Sequence, residues 1–160
     1  MALKTDRHEV ITDISFFMNE TAERGGVAVL STVGSGGAMD QSQALVTYAA
    51  TPAGRQPVGI LLNDMVNIDQ TRQHINQHKN EVQQGGKVTI LRAGHVVTNR
   101  IAGGTVVYAG AKAYLGPSGF LQITQGTASG LPYEPSNPTV GYFMSSRDED
   151  GYAKVAIQLS

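Results

Sequence analysis

Over residues 151–160 apolar and polar side chains alternate strictly. Ala153, Val155, Ile157 and Leu159 fall on one side, and Lys154, Ala156, Gln158 and Ser160 on the other. That period predicts a strand with one face for a core and one for water or a small-residue contact. Residues 139–144 form a second short apolar run, and the connection between the two ends in Asp150-Gly151. Glycine there tolerates the positive φ of a tight turn, so a terminal hairpin is expected.

The same patterning, punctuated by glycine, recurs upstream. Residues 10–18 fit two periods: Val10, Thr12, Ile14, Phe16 and Met18 alternate as in a strand, while Ile14, Phe17, Met18 and Ala22 also match a helical stripe behind a Thr12 or Asp13 cap. The β-branched and aromatic content favours the strand. Strands are further predicted at 27–33, 44–48 and 58–62, then at 87–91, 95–98, 105–108, 113–115 and 120–123. Between them lie the turns Gly34-Ser35-Gly36-Gly37, Ala93-Gly94 and Gly116-Pro117-Ser118-Gly119, and the loops 51–57 and 126–138. Residues 67–84 break the pattern, because only Ile68, Ile75 and Val82 are apolar, too few to bury a helix of that length. This polar stretch reads as a short helix capped by Asp69 or as an extended crossover, and its seven-residue spacing suits one narrow contact stripe.

The expected fold is therefore mainly β: a small β-barrel or β-sandwich body of short antiparallel strands, with an N-terminal arm and a polar crossover segment. Residues 1–20 hold the arm and first strand, and 21–160 a single β domain. A faint echo between 25–62 and 85–160, each opening on Gly-Gly and a strand, admits two related β units joined by the crossover 63–84. The alternative is chance recurrence in a glycine-rich chain. With 19 glycines, 6% aromatics and no tryptophan in 160 residues, the core must be built from Val, Ile, Leu and Ala between tight turns.

A formal charge of -1 gives no basic face for a nucleic acid, and Arg72, Lys79, Lys87, Arg92 and Arg100 are diluted by acids. No cysteine is present to form disulfides or thiolate metal sites. No run approaches the roughly 20 apolar residues of a membrane helix, and the first ten residues lack the apolar segment of a signal peptide, so a soluble, unexported chain is expected.

Candidate chemistry is thin. His74 and His78 stand four apart with Asp69 and Glu81 nearby, but Ile75 occupies the place where a zinc hydrolase carries its general base, so exposed or interface histidines are the better reading. His8 and His95 read as solvent or contact residues. There is no G-x-S-x-G elbow and no phosphate loop, and Asp148-Glu149-Asp150-Gly151 lacks the ligand spacing of a calcium loop. No catalytic residue, cofactor or metal is expected.

Three stretches resemble one family. They are Asp13-Ile14-Ser15-Phe16-Phe17-Met18-Asn19-Glu20 leading to Arg24-Gly25-Gly26-Val27; the polar residues 69–84 leading to Gly85-Gly86-Lys87-Val88; and the C-terminal order Val107-Tyr108, Gly116-Pro117-Ser118-Gly119, Val140-Gly141, then residues 150–155. In these the chain resembles the head decoration, or capsid cement, proteins of tailed bacteriophages. The resemblance implies a structural protein, made in the host cytoplasm, that binds the outer surface of the head and bridges major capsid proteins. It implies a homo-oligomer, a trimer before a dimer, without nucleic-acid or membrane partners. The contacts expected are Arg7, His8, Phe16 and Phe17 in the arm and Asp69, Arg72, His74, Ile75 and His78 in the crossover. A second class, a receptor- or glycan-binding module of the virion, would use Tyr108, Tyr114, Tyr133 and Tyr142 as stacking faces, although core positions suit them better.

Overall fold

The computed structural model describes residues 2–4, 6–31, 44–64, 80–104, 106–126 and 136–159. Eleven strands follow in order: β1 (His8–Met18), β2 (Ala22–Glu23), β3 (Val27–Leu30), β4 (Leu45–Thr47), β5 (Pro57–Asp64), β6 (Glu81–Val82), β7 (Lys87–Thr98), β8 (Lys112–Leu115), β9 (Leu121–Gln122), β10 (Thr139–Phe143) and β11 (Ala153–Gln158). The body is mainly β, as the alternation predicts. It is built as one large mixed sheet of nine strands, with β2 and β6 as a small separate pair.

The organising strand is β7. One of its edges carries β5 on residues 88–91 and then β11 on residues 93–98, and its other edge carries β1 along nearly its whole length. Because β1 also joins β4, the hydrogen-bonded order β1-β4-β3-β5-β7 comes back to β1. The remaining order runs β7-β11-β10-β8-β9, and a bridge from Ile101 to Leu121 ties its far end to the residues just after β7. Two apolar clusters result. Val27, Val29, Ile60, Leu62 and Leu91 point into the larger one with Leu115, Leu121, Phe143, Val155 and Ile157. Ala28, Leu61, Val88 and Ile90 point into the smaller one with Met18, Val46 and Val82. Hence β3, β5 and the first half of β7 are buried on both faces. This is why β3 and residues 58–62 of β5 read as continuous apolar runs rather than clean alternations.

Several expectations change. Strands are not all short or antiparallel: β1 and β7 have 11 and 12 residues, and β1 pairs with β4 in parallel. Ala93-Gly94 is no turn, and β7 runs straight through it. Gly94 sits at φ +144, and an added Cβ would lie 2.1 Å from the carbonyl oxygen of His8, so the glycine admits the close approach of β1. Residues 106–108 keep an exposed-buried-exposed order around Val107 but form no strand. The first residues are not simply a polar arm. Ala2 and Leu3 are buried, Leu3 bridges Thr98, and the Lys4 amide donates to Val97. Val82, read as part of a contact stripe, is fully buried in the smaller cluster.

Candidate functional site

The surface that departs most from an ordinary β body is β1. Its residues 8–12, 14 and 15 are exposed although both periodicity and composition would bury some of them. Val10, Ile11 and Ile14 expose 63%, 53% and 47% of their surface, and Tyr142 on β10 exposes 46%. Scattered exposed apolar residues are normal on a protein surface; three of them within five positions of one strand, beside an exposed tyrosine, form a patch that marks interaction sites.

Irregular pairing explains the exposure. The β1–β7 register shifts between Glu9 and Ile11, between Ile11 and Thr12, and again between Asp13 and Phe16. Such bulges re-aim side chains, so the alternation of the sequence no longer sorts them into inner and outer. Asp13 fixes the last bulge. Its carboxylate accepts the Ser15 amide at 2.8 Å and the Ser15 hydroxyl, and Arg92 on β7 stands 3.8 Å away. The Ser15 hydroxyl bond is the main cause that holds the Asp13 carboxyl below its ordinary pKa, helped by the amide and Arg92 against a smaller effect of burial. A depressed carboxylate pKa means that the clamp is complete above the ordinary carboxylate range and is lost as pH falls through the depressed value. In an NMR titration the Ser15 amide resonance should therefore move with a midpoint below the reference value of about 3.9; a midpoint at or above it would show that the clamp does not act in solution.

Beside β1 lies a groove of about 220 Å³ lined by Val10, Ala93, Gly94, His95, Tyr142, Ala156, Ile157 and Gln158. The register makes it: Tyr142 pairs with Ala156, Ala156 with His95 and His95 with His8, so these four residues form one row across β10, β11, β7 and β1. The small residues Ala156 and Gly94 leave the floor low between taller walls. The small-residue face predicted for the last strand is this floor. Among the described residues, no strand pairs with the outer edge of β1 before Phe17, where β4 begins.

The arm residues expected as contacts lie in or just before β1, and their surroundings differ. Arg7 is ion-paired with Glu9 at 2.5 Å, and His8 opens β1 opposite His95. Phe16 packs against the smaller cluster, and half-buried Phe17 lies under the Lys87 ammonium. Asp69, Arg72, His74, Ile75 and His78 lie outside the described residues, as does Tyr133. Tyr108 and Tyr142 are exposed rather than core residues, and Tyr114 is half-buried. Sequence reasoning missed Val10, Ile11, Ile14 and Gly94 as surface-forming positions and named Tyr142 only as a stacking face of the second function class, since apolar residues at alternate positions signal core unless a bulge intervenes. No group of three His, Cys, Asp or Glu gathers into a metal cluster among the described residues.

A sequence profile described as structural cement protein (E217 gp24/Pam3 gp6) matches residues 4–158. The chain belongs to this phage cement family. The match spans the whole of the body, including the exposed strand. The cement protein is thus a structural component of the virion that stabilises a phage capsid and associates with its capsid proteins. No curated protein sequence matches it.

Proposed function

We propose that the cement protein sits on the outer surface of the head and grips the major capsid protein chiefly through β1, with the groove beside it. The observation that carries this reading is that, among the described residues, no strand pairs with the outer edge of residues 8–16, while Val10, Ile11 and Ile14 are held out to solvent. A free edge supplies backbone donors and acceptors for an added strand, and the apolar side chains supply the buried area that makes such addition stable. The bulges keep this edge from pairing indiscriminately before docking. The polar stretch 67–86, with Asp69, Arg72, His74, Ile75 and His78, is the second contact, supported by its sequence alone. Subunits assemble as a homotrimer, ahead of a dimer, so that individually modest contacts add up by avidity.

Replacing Val10 and Ile14 together by Asp tests the reading. Val10 and Ile14 expose 63% and 47% of their surface, so the free protein should stay folded and lose no more than about 2 kcal/mol, chiefly strand propensity. Co-sedimentation with heads should weaken by about thirtyfold, as two half-exposed apolar contacts become charges that must be desolvated. Full decoration by the double variant would remove β1 from the contact.

A further inference from the structure

His8 and His95 face each other at the start of the β1–β7 ladder, with ring centroids 5.9 Å apart and ring planes inclined by 46°. They come from strands paired directly across 87 positions of sequence, and they close one end of the groove row. His8 is exposed and His95 half-buried, so both rings are accessible. We infer that this pair binds a divalent transition-metal ion of the zinc, nickel or copper class, and that the bound ion clamps the first residue of β1 to β7.

The geometry is close to what two imidazoles on one ion require. A metal–nitrogen bond of about 2.0–2.1 Å sets each ring centroid about 3.2 Å from the ion, so two rings at a tetrahedral angle have centroids about 5.2 Å apart. Closing a gap of less than an ångström from 5.9 Å takes small side-chain rotations. Two neutral nitrogens suit borderline transition metals and not calcium or magnesium, which take oxygen. The ladder holds the ligands' backbones in register, so little order has to be imposed on binding, and water fills the remaining positions. The site differs from the His74 and His78 pair of the sequence, and it does not depend on β1 being the capsid contact.

The test uses the full untagged chain with His74→Ala and His78→Ala, to remove the competing pair, titrated with zinc chloride by calorimetry. One ion should bind per chain, and adding either His8→Ala or His95→Ala should weaken binding by about tenfold or more. In the same His74→Ala/His78→Ala background, substoichiometric Ni²⁺ should broaden the His8 and His95 ring resonances ahead of those of residues on β8 and β9. Undiminished zinc binding by the His8→Ala/His95→Ala variant would overturn the assignment, and so would nickel broadening that spares these two rings.

Discussion

Gly141→Ala should cost the cement protein about 4 kcal/mol of stability, near the upper end of what a single substitution does. Gly141 lies in β10 opposite Ile157 of β11, and a Cβ added there would stand 1.9 Å from the carbonyl oxygen of Ala156 and 3.2 Å from the Ile157 Cα. Both obstacles are backbone, so no side chain can rotate away. Relief requires the two strands to part, and parting them withdraws Val140 and Phe143 from the larger cluster on one side and Val155 and Ile157 on the other. Chemical denaturation should show the loss as a lower midpoint. Gly103→Ala is the control: nothing lies within 4 Å of an added Cβ there, and it should change stability by less than about 0.5 kcal/mol. Equal behaviour of the two variants would mean that the β10–β11 contact is looser than described.

Gly94→Ala should be nearly as severe, about 3 kcal/mol, but with a different distribution. The backbone at φ +144 is one that an L side chain rarely adopts, and the added Cβ would meet the His8 carbonyl at 2.1 Å and the Leu91 side chain at 3.2 Å. The collision with His8 is relieved if the first residues of β1 lift off β7, while the pairing of β7 with β5 and β11 stays in place. Hydrogen exchange should accelerate over residues 8–12 more than in β5 or β11, and, if β1 is the docking strand as proposed, decoration of heads should fall as it loses its support. Uniform acceleration across all strands would contradict this division of the structure.

These two glycines show what the sequence discloses and what it hides. The hairpin of β10 and β11 was legible because its signals are local: strict alternation in 153–159 and an Asp-Gly turn, with Gly151 at φ +85. The strands β3 and β5 were legible as apolar runs, whereas their burial on both faces depends on clusters assembled from distant residues. Gly94 misled because a glycine needed for a turn and a glycine needed for a close crossing look the same in sequence. Residues 10–18 fitted two periods and their β-branched and aromatic content decided for the strand β1, yet its burial depended on register shifts against β7, which local pattern does not encode. Family membership was legible over most of the chain, since the soft patterns near both ends and in the middle belong to a profile that spans residues 4–158.

The Asp13 clamp, the groove and the exposed apolar residues all converge on β1, and a cement protein's work is done by what it touches. An electron cryomicroscopy map of heads decorated with this protein tests that most directly. It should show capsid-protein backbone within hydrogen-bonding distance of the outer edge of residues 8–16, with Val10 and Ile14 covered. A map in which β1 faces solvent while another face of the sheet meets the shell would contradict the account.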